Sequence, residues 1–464
     1  MREIRLHDTR SGELLALAPR DPGRVGIYAC GPTVYSRIHI GNARPFVVFS
    51  LLKRFLESEG LAVTLVVNVT DVNDKIYDAA RRSNPARPRP SEELAREMTE
   101  RYFLDTDALG LGRPDREPLA SETIGPIVDY IQTLIETGHA YAVDGDVYFR
   151  VRSDPGYGTL SHRRLENMDQ GEATSESDEA ERKEDPLDFA LWKGRKEGED
   201  TWWGAPWGEG RPGWHIECSA MAEDALGVGF EIHGGGSDLL FPHHENEAAQ
   251  TRAARGEELA RIWMHNGMIQ STGEKMAKSV GNIASLHEVL ARYGAETVVM
   301  YLIGGHYRQP LAFSDSELED AQRRVYRIRD ALGRLAKGQP SPDDMRIHRD
   351  EFFAALANDF NTPAALASLF EWVREANRRG EGVGDANLLE MLDVVGLGEL
   401  TELPSAADPG AIDKDFDELL ERREQARRER DFETSDRIRG ELLEKGWEIR
   451  DGPDGPVVYP AEGP

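Results

Sequence analysis

Hydrophobic residues near the start of the chain follow the pattern of a strand, a helix and a second strand. The short apolar run 24–30 predicts a buried strand, and phenylalanine and leucine residues at helical spacing predict a helix over 45–59. The β-branched run 62–69 predicts a second, buried strand of a parallel sheet. Such a unit is typical of nucleotide-binding α/β folds, in which ligands bind at the carboxyl ends of the strands. Cys30 and Thr70 occupy those two ends.

The pattern changes after about residue 76, where the sequence indicates an insertion between two halves of the sheet. A proline-rich stretch, 84–90, precedes a predicted helix that starts near Ser91, and branched aliphatic residues predict a helix over 123–137. The segment 141–149 carries Asp-Gly between apolar runs and predicts a β-hairpin. The acidic, serine-rich stretch 170–185 predicts a loop.

From about residue 316 the hydrophobic spacing is mainly helical. The predicted helices are 315–335, 350–358, 363–379, 416–430 and 432–445, and two short strands are predicted within 447–460. A chain of 464 residues exceeds a single core, so several domains are expected.

Composition places the protein in a broad class. No run approaches ~20 apolar residues and no signal-like segment follows Met1, so we expect a cytoplasmic protein without a membrane span. Cys30 and Cys218 are the two cysteines, which excludes a disulfide framework. The formal charge of −28 opposes binding to a polyanion at low salt. Because the Debye length falls to ~3 Å at 1 M salt, we hypothesise a halophilic source.

Two short motifs are candidates for phosphate chemistry. His39 opens a predicted helix, where backbone N–H groups bind phosphate and an imidazole can donate to an oxygen that gains charge. Lys275 and Lys278 lie three residues apart on a glycine-flanked loop and suit a pyrophosphate leaving group. For either motif alone, a local structural pairing or a solvated lysine pair is the more common explanation.

Four residues form a candidate metal site. Cys30, Cys218, His243 and Glu247 are all acceptable zinc ligands. On a helix, His243 and Glu247 would share one face because they are four residues apart. His244 is a competing ligand. Two inert core cysteines beside a polar helix start remain an alternative, since Cys30 is distant in sequence.

Two further segments carry candidate binding residues. A predicted strand at 230–233 leads into a predicted glycine-rich loop, 234–236, whose glycines would let a nucleotide approach the backbone. Asp238 follows this loop and could accept hydrogen bonds from a ribose. Trp214 either walls a small side-chain pocket or is a core tryptophan.

Seven sequence blocks, taken together, resemble the cysteinyl-tRNA synthetases, a family of class I aminoacyl-tRNA synthetases. The blocks are C-G-P-T-V-Y at 30–35, H-I-G-N at 39–42, N-V-T-D-V-N-D-K at 68–75, G-R-P-G-W-H-I-E-C-S-A-M at 210–221, H-G-G-G-S-D-L-L-F-P-H-H-E-N-E at 233–247, W-M-H-N-G-M-I at 263–269 and K-M-A-K-S at 275–279. Weaker similarity covers nearly the whole chain. The resemblance implies an α/β fold: a class I Rossmann-type catalytic domain with a parallel sheet and an α/β insertion, then a C-terminal α-helical bundle and a small anticodon-binding region.

This resemblance implies six regions along the chain. They are the N-terminal half of the Rossmann domain (1–110), a connective insertion (111–205), the C-terminal half with the zinc site (206–265), a stem-contact region with the K-M-A-K-S loop (266–315), a helical bundle (316–403) and an anticodon-binding region (412–464).

The resemblance also assigns roles to individual residues. One Zn²⁺ per chain would be held by Cys30, Cys218, His243 and Glu247, and would take the substrate thiolate as an added ligand. Glu247 is expected to be the weakly held ligand, because four protein ligands normally close a zinc site. The other assigned residues are Thr70 and Trp214 for the cysteine pocket, His39, Asn42, Lys275 and Lys278 for catalysis, and Gly41, Asp238, Gly267 and Lys278 for ATP.

The implied reaction has two steps. L-cysteine and ATP, with Mg²⁺, would give cysteinyl-adenylate and pyrophosphate, and the cysteinyl group would pass to the 3′ end of tRNA(Cys). Zinc would separate cysteine from serine without editing, because a bound thiol is deprotonated and a hydroxyl is a poor ligand. We expect a monomer. Asn42 stands where the family often has histidine and Ala277 where it often has serine, and neither change indicates an inactive relative.

Two other functions stay open at this point. A cysteine ligase of the mycothiol pathway would use an amino-sugar acceptor, but such ligases lack much of the anticodon end, and the arginine-rich tail 412–464 favours tRNA. A non-catalytic, zinc-stabilised RNA-binding protein would perform no ATP chemistry, and the intact lysine pair argues against it.

Overall fold

The computed structural model describes residues 2–83, 89–167, 181–271, 284–380, 382–401, 419, 422–423, 425–427, 431–444, 447–452 and 455–460. The helices are α1 (Ile40–Ser58), α2 (Asp74–Ser83), α3 (Ser91–Asp107), α4 (Ile124–Glu136), α5 (Trp214–Leu226), α6 (Glu245–Arg255), α7 (Leu286–Tyr293), α8 (Ala295–Leu302), α9 (Asp315–Arg334), α10 (Arg346–Ala357), α11 (Thr362–Arg379), α12 (Ala386–Val394) and α13 (Phe432–Glu444). The strands are β1 (Arg5–Asp8), β2 (Glu13–Ala16), β3 (Arg24–Ala29), β4 (Ala62–Val67), β5 (Ala140–Val143), β6 (Asp146–Phe149), β7 (Phe189–Gly194), β8 (Trp203–Ala205), β9 (Gly208–Pro212), β10 (Phe230–Gly236), β11 (Ala260–Asn266), β12 (Ile269–Ser271), β13 (Leu311–Phe313), β14 (Trp447–Gly452) and β15 (Gly455–Pro460).

A four-stranded parallel sheet organises the N-terminal half of the chain. Its strand order is β11-β10-β3-β4, so β10 and β11 add to the strand–helix–strand unit that the sequence predicts. The helix of that unit, α1, begins at Ile40, earlier than the predicted 45–59, and buries its apolar face on the sheet. The α/β fold is therefore confirmed. Cys30 and Thr70 lie just beyond the carboxyl ends of the paired strands β3 and β4.

The glycines 234–236 are part of strand β10, so the predicted glycine-rich loop is wrong. They pair with β11 as ordinary strand residues, from Gly234 to Gly236. A Cβ atom on Gly234 would lie 2.0 Å from the ring of Phe49 in α1. Close packing of α1 on the sheet therefore explains this glycine better than the approach of a nucleotide does.

The insertion forms a five-stranded antiparallel sheet with the order β5-β6-β7-β9-β8. The predicted hairpin is present as β5 and β6, and Asp144 and Gly145 connect the two strands with φ of 49° and 88°. Positive φ at both positions is the type I′ geometry that Asp-Gly favours. The sheet extends to Pro212 because β9 pairs with β7 and β8. The predicted boundary at 205 therefore falls inside this sheet.

Contacts divide the chain into two compact units, 1–328 with 335–398, and 329–334 with 399–464. In the first unit, α10, α11 and α12 pack on one another. The second unit contains α13 and the antiparallel hairpin β14–β15, close to the predicted helix 432–445 and strands. Most of the predicted helix 416–430 and of the predicted loop 170–185 lies outside the described residues. No described helix is long and apolar enough to cross a membrane.

Candidate active site and metal centre

Both cysteines of the chain meet one imidazole and one carboxylate at the end of the parallel sheet. Cys30 follows β3, Cys218 lies in α5, His243 lies in the turn before α6, and Glu247 lies in the first turn of α6. One ligand atom of each residue lies within 4.8 Å of those of the other three, and all four residues are buried. His243 and Glu247, which are four residues apart in the sequence, are in contact, with Nε2 and Oε1 3.1 Å apart. These four side chains form the sulphur, nitrogen and oxygen donor set that zinc prefers.

Neighbouring imidazoles orient the two ligands contributed by the 243–247 segment. His215 and His243 face each other through their Nδ1 atoms at 2.9 Å, which leaves Nε2 of His243 facing Glu247. His233 contacts Oε2 of Glu247 through its Nε2 at 2.8 Å. The carboxylate therefore presents Oε1 to the cluster while Oε2 is engaged. Partners of this kind fix the tautomer and orientation of metal ligands.

Burial favours the uncharged forms of the two thiols and of the His243 imidazole in the protein alone. It raises the pKa of the Cys30 thiol well above its usual range. For Cys218, the hydrogen bond with Cys30 lowers the pKa, but burial together with the nearby carboxylates of Glu247 and Glu217 raises it, and the net shift is upward. Burial lowers the pKa of His243 well below the usual histidine range. Neutral imidazole is the form that binds a metal, whereas thiols must lose a proton to do so.

The ligand atoms of a second set of four residues also lie within 4.8 Å of one another. It keeps Cys30 and Glu247 and replaces the other two ligands with His233 and His244. Nε2 of His244 is buried without a hydrogen-bond partner and lies 4.0 Å from Oε1 of Glu247. Its Nδ1 contacts His265 at 2.8 Å. The ambiguity between His243 and His244 that the sequence raises is therefore also present in the geometry.

Trp214 and Thr70 border the cluster. The indole of Trp214 stacks on the imidazole of His243, with ring centroids 4.3 Å apart and an interplanar angle of 26°. Thr70 is buried, and its Oγ1 accepts a hydrogen bond from Asn68, whose Oδ1 accepts one from the N–H of Gly31. Asn68 thus connects Thr70 to the backbone next to Cys30. Both residues predicted for the cysteine pocket are placed at this end of the sheet.

His39 is the N-cap of α1. Its Nδ1 accepts a hydrogen bond from the N–H of Asn42, and Oδ1 of Asn42 accepts one from the N–H of His39. This capping box leaves Nε2 as the protonated nitrogen of the neutral ring. Burial lowers the pKa of His39, against the opposing effect of Asp238. A neutral imidazole thus offers an N–H donor at a helix start, where phosphate binds.

Gly41 leaves room for the His39 ring. A Cβ atom at this position would lie 2.9 Å from both Cε1 and Nδ1 of the imidazole. We predict that Gly41→Ala displaces the ring and, in the reaction that the sequence resemblance implies, lowers the rate of adenylate formation by about 10- to 100-fold, since small misplacements have effects of that size. The rate of cysteine-dependent pyrophosphate exchange measures this effect. An unchanged rate would show that the ring position is not critical.

Lys275 and Lys278 lie outside the described residues, but the chain on both sides of 272–283 is described. On one side, β12 pairs with β13. On the other, the N–H of Ile40 donates to the carbonyl of Ala284, and the N–H of Leu286 donates to the carbonyl of Ile38. The described residues 284 and 286 therefore lie beside the helix start that carries His39.

Some residues around the site were not singled out by the sequence analysis. His215, His233 and His265 come from three different elements, and Arg44 lies inside an apolar helix. For the three histidines, the only sequence signal is the repeated occurrence of histidine in the 210–247 and 263–269 blocks. Arg44 has no such signal.

Family models and solved structures define the class of the protein. Residues 16–323 match the class I (C) tRNA synthetase catalytic domain, and 351–396 match the DALR domain. The methionyl-tRNA synthetase of Mycobacterium tuberculosis, in complex with methionyl-adenylate, is 15% identical with a TM-score of 0.57, over 82% of this chain and 88% of that one. The ternary LeuRS–tRNA–LeuAMS complex from Agrobacterium radiobacter K84 is 12% identical with a TM-score of 0.60, over 83% of this chain and 85% of that one. The fold is that of a class I tRNA synthetase.

Full-length relatives narrow the class to one family. The cysteine–tRNA ligase of Alkalilimnicola ehrlichii is 46% identical over 97% of this chain and 98% of its own length. The cysteine–tRNA ligase of Symbiobacterium thermophilum is 44% identical over 97% and 98%. Residues 410–456 match the cysteinyl-tRNA ligase anticodon binding domain. The chain belongs to the cysteine–tRNA ligase family, so it is an aminoacyl-tRNA ligase, and the amino-sugar alternative is not favoured.

Proposed function

We propose that this chain activates L-cysteine with ATP and transfers it to the 3′ end of tRNA(Cys), and that its buried cluster holds one zinc ion that selects the substrate thiol. The observation that supports this most strongly is the meeting of both cysteines with a buried imidazole and carboxylate under the ring of Trp214. These side chains lie at the carboxyl end of the parallel sheet, where ligands of this fold bind.

The donor chemistry favours Cys30, Cys218, His243 and Glu247 as the zinc ligands over the second set. This set uses two sulphur donors, and zinc sites rich in sulphur are common. When bound, zinc would stabilise the thiolate form of cysteine, for which the hydroxyl of serine is a poor substitute. Glu247 is the proposed weak ligand, because four protein ligands normally close a zinc site and Glu247 supplies the one oxygen donor of this set. The stacked ring of Trp214 would limit the depth and width of the pocket above His243.

Three of the proposed ATP residues, His39, Gly41 and Asn42, lie at the start of α1. The N–H at Nε2 of His39 would donate to a phosphate oxygen as charge develops on it. Asn42 would hold His39 through the capping box, while Gly41 lets the ring lie there. Asp238 is close enough to His39 to affect its pKa and is proposed to contact the ribose. Lys275 and Lys278 keep their proposed role at the pyrophosphate, and Gly267 its role beside the adenine.

The direct test combines charging with metal analysis. We expect the purified protein to contain one zinc per chain, to charge tRNA(Cys) with cysteine, and to lose that activity when zinc is removed by chelation. Cysteine should be preferred over serine by more than about 1,000-fold in the activation rate. An apolar pocket discriminates such a pair by only about 100-fold, so a larger preference indicates recognition by the metal. Cysteine activation without tRNA charging would contradict the proposed acceptor. Full activity without metal would contradict the zinc assignment.

Paired histidine variants separate the two ligand sets. We predict that His243→Ala lowers the zinc content and abolishes cysteine activation, whereas His244→Ala keeps stoichiometric zinc. The reason is that the favoured set uses His243, and His244 already contacts His265. Zinc content by mass spectrometry and pyrophosphate exchange measure both variants. Zinc loss in His244→Ala alone would reverse the assignment.

The remaining part of the proposal concerns the state of the protein in the cell. We propose a monomer that acts in the cytoplasm. Sedimentation equilibrium at the concentration used for the charging assay tests the first point, and a concentration-dependent dimer that alone is active would contradict it.

A further inference from the structure

Arg44 is a buried guanidinium on α1 that binds backbone carbonyls from two distant segments. Its Nη1 donates to the carbonyl of Gly267 at 2.5 Å and to that of Gln309 at 2.8 Å, and its Nη2 donates to that of His306 at 3.0 Å. The side chain is 1% exposed. Burial lowers the pKa of Arg44 to about 10, so the group is still charged at neutral pH. Among the described residues, the hydrogen bonds of this buried cation all go to backbone carbonyls, which indicates a specific positional requirement.

The two segments form one unit next to the sheet. The N–H of Gly267 donates to the carbonyl of Tyr307 at 2.7 Å, and the N–H of Leu311 donates to the carbonyl of Met268 at 3.0 Å. The pairing of β12 with β13 continues this contact. A Cβ atom on Gly267 would lie 2.3 Å from the carbonyl oxygen of Gln309, so only glycine allows the two backbones to lie this close.

Arg44 attaches this unit to the helix that His39 caps. His39 and Arg44 are five residues apart, which corresponds to about 7.5 Å along the helix axis. The guanidinium therefore fixes the distance between the backbone at Gly267 and the proposed phosphate donor at the helix start. No ligand of the metal cluster contacts Arg44 among the described residues.

We propose that Arg44 is a positioning residue for ATP: it holds the backbone at residue 267 at the place where the adenine binds, relative to the His39 end of α1. This inference rests on the proposed function, because it assumes that ATP lies between these two groups. Lysine can supply the charge but only a single nitrogen, so it cannot reproduce three contacts made by two nitrogens of a planar group. The cysteine site, built from other elements, does not depend on Arg44.

The test measures substrate dependence in Arg44→Met and Arg44→Lys by pyrophosphate exchange. For Arg44→Met we expect kcat/KM for ATP to fall about 10- to 100-fold, as expected for a displaced binding group, with Arg44→Lys in between. KM for cysteine and zinc content should stay at the wild-type values. The preference for ATP over GTP should also fall, because the displaced backbone at residue 267 would no longer distinguish adenine from guanine. Destabilisation alone would not produce this combination.

Arg54 supplies a matched control on the same helix. Its two terminal nitrogens donate to the carbonyls of Asp393 and Leu111, each at 3.2 Å, near the opposite end of α1. Arg54→Met should lower the melting temperature without changing the KM for ATP. Equal effects of Arg44→Met on ATP and cysteine, or an ATP effect of the same size in Arg54→Met, would overturn the inference. A wild-type protein without cysteine-dependent exchange would instead refute the proposed function.

Discussion

Replacing Cys218 with serine is expected to remove the proposed zinc ion and to reduce cysteine activation by more than about 1,000-fold, the equivalent of about 4 kcal/mol of transition-state stabilisation. The serine hydroxyl has nearly the same size as the thiol but is a far poorer zinc ligand at neutral pH. Cys218 is 1% exposed and lies beside Cys30, so water cannot readily take its place. Zinc content and the rate of cysteine-dependent pyrophosphate exchange are the two quantities to measure.

Ser219 provides the control for this substitution. It is the next residue of α5, is equally buried, and its hydroxyl donates to Gln250 rather than to the cluster. Ser219→Ala should therefore keep zinc and most of the activity while testing the tolerance of the helix to a buried change. Stoichiometric zinc in an active Cys218→Ser protein would refute the metal assignment.

His39→Ala is expected to lower the rate of adenylate formation by about 100- to 1,000-fold, the typical effect of losing one donor to a developing negative charge. It should leave zinc content and cysteine affinity unchanged, because His39 is not part of the metal cluster. Since burial lowers its pKa, the imidazole should be neutral above about pH 6.5, the ordinary histidine value. The loss measured in single-turnover experiments should therefore be constant from about pH 7 to 8.

His39→Asn separates the structural role of this residue from the chemical one. Asparagine is a good N-cap, so it should recover most of the about 1 kcal/mol of stability that alanine loses. It cannot place an N–H donor where Nε2 of the imidazole lies, so we expect the rate of adenylate formation to remain low. Recovery of the full rate in His39→Asn would show that His39 serves only to cap α1.

The parts of the site that the sequence predicts are those fixed by strand ends and by short spacings. Cys30 and Thr70 could be placed because the ends of adjacent parallel strands meet at one edge. His243 and Glu247 could be paired because they are four residues apart, although His243 lies in the turn before α6 rather than in the helix. Local sequence patterns were therefore sufficient to place each of these two pairs together.

Other features depend on contacts between residues far apart in the chain. Gly234 of β10 is explained by the ring of Phe49, a contact that no local pattern reveals. His215 and His233 orient the ligands from two other elements, so their roles appear only once α5 and β10 are placed around α6. Arg44 lies in an apolar stretch of helix, and its partners are more than 220 residues away, as the separation of 223 from Gly267 shows.

The measurement that tests the central claim most directly is X-ray absorption at the zinc edge of the wild-type protein, alone and with L-cysteine or L-serine. The claim predicts a zinc ion with two sulphur neighbours, supplied by the two cysteines of the chain. Addition of cysteine should raise the sulphur count by one, and addition of serine should leave it unchanged. A spectrum that does not change with cysteine, or zinc with fewer than two sulphur neighbours before cysteine is added, would contradict selection of the substrate thiol by this cluster.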